Sequence, residues 1–236
     1  MITACGLAKS YGSVQVLRGL DITIQRGRVT AIVGPNGAGK TTFIKSLLGL
    51  TRPDGGTLRF DGALISGDDA YRARIGYMPQ IAHFPENLTG AELLDLLRDL
   101  RGVESGDERL VEQFGLRDAL GRKLRELSGG TRQKVNAVAA FLFAAELFVL
   151  DEPTSGLDPV SAGILKQRIM EERIAGSTII LTSHILSEVD ELADDVVFLH
   201  EGQLRFAGTV SEMKRETGQT NMERGIAALM MREEAA

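Results

Sequence analysis

The sequence predicts an α/β fold built on a mainly parallel sheet, with a small antiparallel β layer and a helical insertion. Three observations carry that prediction. Apolar, β-prone runs recur at residues 16–24, 29–33, 147–150, 178–181 and 196–199, with helical stretches between several of them. Runs at 2–8, 16–24 and 57–60 are separated by turns rather than helices. The stretch 86–125 holds no strand-like run.

The runs at 2–8, 16–24 and 57–60 form the antiparallel layer, because tight turns join antiparallel neighbours and parallel ones need long crossovers. The run 29–33 opens the parallel sheet and feeds a helix over residues 42–48. Within 86–125, Thr89 and Glu92 make a capping box ahead of Leu93, Leu94, Leu96 and Leu97. A second helix over 107–114 stops at Gly115, a C-terminal cap. The runs at 147–150, 178–181 and 196–199 extend the parallel sheet, which is covered on both faces. The tail sets Met222, Ile226, Leu229 and Met230 at helical spacing. It reads as a helix packed on the body, with a dimer or partner contact as the alternative. The resulting division is a core of residues 1–85 and 126–210, a helical subdomain of 86–125, and a C-terminal helical tail of 211–236.

Composition narrows the function. The 236 residues are 43% hydrophobic and 25% charged, which suits one α/β domain with a subdomain attached and a well-buried core. Net charge is −5 with both signs interspersed, so no basic footprint for nucleic acid is present. Cys5 is the single cysteine, which excludes an internal disulfide and a cysteine metal cluster. Residues 1–12 lack the basic and apolar regions of a signal peptide. The most apolar stretch, 135–150, is short and interrupted by Asn136 and Glu146, so it does not span a bilayer. Any membrane role is expected to come through a partner.

Two motifs carry chemistry on their own. Gly34, Pro35, Asn36, Gly37, Ala38, Gly39, Lys40 and Thr41 match G-x-x-x-x-G-K-[ST] between an apolar strand and a helix opened by Thr42. Glycines let the backbone wrap phosphates with its N–H groups pointing inward, and the positive helix end faces the anion. Lys40 is expected to reach the β- and γ-phosphates of ATP and the Thr41 hydroxyl to ligate Mg²⁺. The bland alternative is a glycine-rich turn before a helix. The second motif is Asp151-Glu152, which ends the run 147–150. Carboxylates at the C-terminal edge of a parallel strand stand where open α/β sheets bind ligands. Asp151 suits the Mg²⁺ shell, and Glu152 suits a general base for the attacking water. The alternative is the start of a solvated loop.

The motifs in order resemble those of the ATP-binding subunit of ABC transporters, over roughly residues 2–210. The distinguishing segment is Leu127-Ser128-Gly129-Gly130-Thr131, similar to the family signature LSGGQ, with Thr131 where Gln is usual and Gln133 two places on. The departure leaves open which side chain borders the ribose. Ser128 and the Gly129 and Gly130 amides precede a helix starting near Thr131, a second anion-binding helix end in one chain. The resemblance implies a P-loop NTPase core of the ABC ATPase fold. It also implies a homodimer in which each ATP lies between one phosphate loop and the opposite signature. It implies roles for four further residues. Tyr11 stacks on adenine, Gln80 touches Mg²⁺ and the water, Asp158 crosses the dimer interface, and His184 contacts the γ-phosphate and orients Glu152. Taken singly, each reads as a packing, loop, surface or capping residue, as His83 and His200 do here.

The family implies a transmembrane permease as partner, gripped in a cleft beside Gln80 and the helical insertion. The chain would then sit on the cytoplasmic face of the cell membrane through that permease. The competing use is a soluble ABC-type ATPase acting on ribosomes or DNA, and a P-loop kinase outside the family is a third reading. Such translation factors carry two modules in one chain and the DNA-repair type a long coiled coil, and this chain has neither. Residues 127–135 and 158–161 look like single-module ATPases paired with export-type permeases. One such group serves copper-site maturation of nitrous oxide reductase.

Overall fold

The computed structural model describes residues 1–65 and 70–234. The antiparallel layer is a four-stranded sheet in the order β2-β1-β4-β5, from β1 (Ile2–Tyr11), β2 (Val14–Ile24), β4 (Gly55–Phe60) and β5 (Ala63–Leu64). The main sheet has six strands in the order β10-β9-β3-β8-β7-β6. These are β3 (Val29–Val33), β6 (Ile75–Met78), β7 (Leu147–Asp151), β8 (Thr178–Thr182), β9 (Asp195–His200) and β10 (Gln203–Thr209). Only the β9–β10 pair is antiparallel. The helices are α1 (Lys40–Leu47), α2 (Gly90–Arg101), α3 (Arg109–Gln113), α4 (Arg117–Leu120), α5 (Gly129–Phe141), α6 (Pro159–Ile174), α7 (Leu186–Leu192), α8 (Val210–Thr217) and α9 (Met222–Glu234). Among the described residues no helix is long and apolar enough to cross a membrane.

The main sheet is buried on both faces because its strands alternate between two cores. Ile32, Val149, Ile180 and Val197 point into the core shared with the antiparallel layer and α1. Ala31, Phe148, Leu181 and Phe198 point the other way, into the core built with α2, α5, α6 and α9. One-residue alternation within each strand is what a doubly covered parallel sheet requires. The consequence is a rigid row of strand ends, at which the phosphate loop, Asp151 and Thr182 all emerge.

The helical insertion forms as the capping box dictates. Thr89 Oγ1 accepts from the Glu92 N–H at 3.2 Å, and Glu92 Oε2 accepts from the Thr89 N–H at 2.8 Å. Leu93 and Leu94 are buried, but Leu96 faces solvent rather than the core. The second insertion helix is shorter than 107–114. Asp107 accepts from the Arg109 N–H, and its own N–H donates to Leu142 O, so the helix begins only at Arg109. Gly115 closes this segment with φ 63°, as its sequence position predicts.

Three local expectations are corrected, and the strand β6 was not anticipated. The helix after the phosphate loop begins at Lys40, two residues early. The helix after the signature starts at Gly129, because Ser128 is its N-cap and accepts from the Thr131 N–H at 3.2 Å. The tail is two helices, α8 and α9, broken at Gly218 with φ 68°. The short strand β6 lies where the sequence prediction sets no strand. Its Gly76 admits α5, since a Cβ there would lie 2.5 Å from the Phe148 ring and 2.6 Å from Ala140 O.

Candidate active site

The phosphate loop connects β3 to α1. Gly34, Gly37 and Gly39 have φ of 151°, 80° and 101°, in the region that L side chains rarely adopt. A Cβ on Gly34 would collide with Leu199 O, and one on Gly39 would lie 2.7 Å from the Leu17 side chain. The loop is therefore fixed by the strands behind it. Lys40, 8% exposed, turns back into the loop and donates to Gly34 O at 2.6 Å and Pro35 O at 3.0 Å. Burial lowers the pKa of its ammonium, and the charges of Glu152 and Asp151 oppose that shift. Ala38 is buried, whereas Asn36, Gly37 and Thr41 face solvent and Pro35 and Thr42 are half-buried.

Asp151 ends β7 and is 4% exposed. Thr182, the last residue of β8, donates its hydroxyl to Asp151 Oδ1 at 2.6 Å and accepts from the Glu152 N–H at 3.0 Å. One hydroxyl thus ties the Asp151 carboxylate to the Glu152 backbone. Glu152 adopts φ 51°, a left-handed conformation that costs a non-glycine residue on the order of 1–2 kcal/mol. The backbone bonds to Thr182 hold it there. The turn swings the Glu152 side chain towards two nitrogens. Gln80 Nε2 donates to Oε2 at 2.9 Å, and His184 Nε2 lies 2.6 Å from Oε1. On β6, the Tyr77 hydroxyl is pushed up to about 12 by burial and then by the charge of Asp151.

The signature lies on a separate helix end. Ser128 caps α5, and a Cβ on Gly130 would lie 3.1 Å from Gly156 O, so this turn packs against the segment holding Asp158. Asp158 itself caps α6, accepting from the Ser161 N–H at 2.9 Å and pairing with Lys134 at 3.0 Å. Those bonds, Ser161 first, hold its carboxyl well below the usual range. No hydrogen bond or ion pair among the described residues joins Ser128, Gly129 or Gly130 to the phosphate loop. Tyr11 also stands apart. Its ring is exposed at the end of β1, its hydroxyl is 3.5 Å from Thr51 Oγ1, and Lys9 Nζ is 5.5 Å from the ring centre. His83 and His200 lie outside the cluster around Glu152.

The structure therefore brings Lys40, Asp151, Glu152, Gln80 and His184 to one edge of the sheet. The signature, Asp158 and Tyr11 make their bonds elsewhere, with Thr131, with Ser161 and Lys134, and with Thr51. Three residues were given no role from the sequence. Thr182 carried the same signal as Asp151, a polar residue at the end of a buried strand. Asn136 is the polar break in the apolar run 135–150, and Gln133 is its partner one turn earlier.

Residues 17–155 match the family model described as ABC transporter. The daunorubicin/doxorubicin resistance ATP-binding protein DrrA of Streptomyces peucetius is 39% identical over 92% of this chain and 68% of its own length. The bacitracin transport ATP-binding protein BcrA of Enterococcus faecalis is 34% identical over 89% of this chain and 69% of its own length. A solved ATP-binding subunit of an ABC transporter superposes with a TM-score of 0.91 at 31% identity, covering 98% of this chain and 99% of that one. A cassette solved as a dimer with ADP and Pi shares the fold, with a TM-score of 0.80 at 23% identity, over 89% of this chain and 99% of its own. Those likenesses and the phosphate-loop and Asp151–Glu152 geometry agree: the chain belongs to the ABC transporter family, as one of its ATP-binding, ATP-hydrolysing subunits.

Proposed function

We propose that two copies of this chain close head to tail on ATP and drive a separate membrane permease. The observation that supports this most is the pair of anion-binding helix ends, at Lys40 and at Gly129, with no bond between them. A single γ-phosphate needs both kinds of donor, and a second copy supplies the missing one. ATP then completes a surface that neither copy holds alone, and loss of phosphate after hydrolysis removes the bridge.

In this reading Lys40 exchanges its bonds to Gly34 O and Pro35 O for β- and γ-phosphate oxygens. Those two bonds already hold its ammonium inside the loop. The amides of residues 34–42 cradle the phosphates, and Tyr11 stacks on the adenine. Glu152 takes a proton from water as the water oxygen bonds to the γ-phosphorus. The bond from that phosphorus to the bridging oxygen breaks, and ADP leaves with the electron pair. His184 fixes Glu152 and reaches the γ-phosphate, while Ser128, Gly129 and Gly130 of the opposite copy donate to it. Asp158 borders the interface between copies.

The residues present fit a Mg²⁺ site. Among the described residues no three His, Cys, Asp or Glu side chains converge on a metal position, so the ion would rely on phosphate oxygens, as Mg²⁺ commonly does. Gln80 spends its Nε2 on Glu152 and keeps its carbonyl oxygen for the ion. With the Thr41 hydroxyl and Asp151 it makes a hard-oxygen set. Bound there, Mg²⁺ would supply charge neutralisation on the β- and γ-phosphates.

The permease is assigned to a cleft of about 350 Å³ between the helical insertion and the core, beside Gln80. Tyr77, Pro79, Phe84, Leu97 and Phe143 line it, a mostly apolar wall suited to a short cytoplasmic helix. The chain thereby sits on the cytoplasmic face of the membrane. The names of DrrA, a drug-resistance protein, and BcrA, a bacitracin-transport protein, support a transport role. Copper-site maturation of nitrous oxide reductase is the narrower proposal, supported by segments 127–135 and 158–161 alone. ATP hydrolysis across a protein concentration series, with and without membranes containing the neighbouring permease, tests the reading. A rate rising more than linearly with protein and further with the permease supports it. A rate raised only by ribosomes or DNA refutes it.

A further inference from the structure

We propose that Asn136, with Gln133, is a positioning residue that fixes the signature helix to the water-activating cluster. The proposal rests on the reading of Gln80 and Glu152 given above. Both residues lie on α5, whose first turn carries Gly129 and Gly130. Asn136 Nδ2 donates to Pro79 O at 2.8 Å and to Gln133 Oε1 at 3.3 Å. Gln133 Nε2 donates to Pro153 O at 3.3 Å. Pro79 immediately precedes Gln80, and Pro153 immediately follows Glu152. Two adjacent amides therefore hold, from one helix, the backbone next to each of two residues that meet at 2.9 Å. Neither carbonyl is held by its own strand, since β6 ends at Met78 and β7 at Asp151.

Stability alone does not explain the pair. Asn136 is 1% exposed, its sequence neighbours Val135 and Ala137 are fully buried, and its Oδ1 has no hydrogen-bond partner. An unpaired buried acceptor is destabilising, so burying this amide is offset only by the bonds its Nδ2 makes to Pro79 and Gln133. What an aliphatic residue cannot do is grip Pro79 O. The clamp also gives the two ends of the dimer a mechanical link. When the opposite copy's phosphate engages Gly129 and Gly130, α5 is fixed, and with it the backbone that aims Gln80 at Glu152.

The test is a double-mutant cycle on the full chain, using ATP and Mg²⁺, with kcat, ATP affinity and thermal midpoint measured for each variant. Asn136→Leu removes the clamp and also the unpartnered oxygen. It also strips Pro79 O and Gln133 Oε1 of their donor, so the midpoint should fall modestly, while ATP affinity stays near wild type and kcat drops about 10- to 100-fold, the scale on which small misplacements act. In a Gln80→Ala background the same change should cost little more, because the residue it acts through is gone. Asn136→Ala is read the same way if the leucine variant does not fold. An Asn136 variant with wild-type kcat, beside an impaired Gln80→Ala, overturns the clamp alone. Equal losses in both backgrounds overturn it too, since the effect would then bypass Gln80. A Gln80→Ala enzyme at wild-type rate overturns the reading of Gln80 and the clamp together.

Discussion

Replacing Glu152 with glutamine should nearly abolish turnover while preserving nucleotide binding and trapping the closed dimer. The substitution keeps the shape of the side chain and leaves the backbone bonds to Thr182 untouched, so the left-handed turn persists. An amide offers one oxygen to the two nitrogens that now face separate carboxylate oxygens, Gln80 Nε2 and His184 Nε2. Losing one such contact costs about 1 kcal/mol, which a folded domain tolerates. The loss in chemistry is larger. Removing a general base typically costs about 10²- to 10⁴-fold in rate, or about 3–5 kcal/mol of barrier. Phosphate release would measure the rate, and size-exclusion chromatography with ATP would measure the dimer. An E152Q enzyme within about tenfold of wild type would refute the base assignment. A slow enzyme that stays monomeric with ATP would refute the link between stalled hydrolysis and closure.

Two further outcomes follow from particular side chains. Tyr11→Ala should weaken ATP binding by about 1–3 kcal/mol, the value of one base stack, and Tyr11→Phe should not. Equal loss in both, measured as ATP affinity, would implicate the hydroxyl contact with Thr51 instead. In acid, the Arg26–Asp61–Arg74–Glu146 cluster joining the antiparallel layer to the main sheet should fail. The Glu146 carboxyl is held at about 2 by Arg74 and then Arg26, below its usual 4.5. A depressed carboxylate stabilises the fold above its unfolded pKa and loses that contribution as pH falls through the folded one. The thermal midpoint should therefore drop between about pH 4.5 and 2, less steeply in an Arg74→Gln variant. Parallel curves for the two proteins would remove this cluster from the account.

The sequence carried most of the candidate site because its chemistry is local. A phosphate loop needs glycines at fixed steps before Lys40, and a strand that ends in two acids announces its own position. The same is true of the capping box at Thr89 and the closing glycine at Gly115. What was hidden depended on tertiary approach. Gly76 breaks the strand signal of β6, yet it is what lets α5 come close. β10 joins the sheet only by pairing with β9, with no strong alternation of its own. The bonds from Asn136 to Pro79 and from Gln133 to Pro153 span 57 and 20 residues, separations that no spacing rule reads. At the fifth signature position the Thr131 hydroxyl adds a side-chain contact to Ser128 Oγ at 2.8 Å.

The central claim is that each ATP is hydrolysed between two copies, and mixing two inactive chains tests it most directly. Lys40→Ala disables the phosphate loop. Gly129→Asp places a carboxylate at the start of α5, where an added Cβ meets nothing within 4 Å. Acid at a helix start does not disturb folding, but it would repel the opposite copy's phosphate. Each variant alone should be inactive. Mixed in equal amounts, half the dimers carry one intact phosphate loop facing one intact signature, so activity should return to about a quarter of wild type. A mixture as inactive as its components would contradict the account, because a site completed within one chain has no intact copy in either variant.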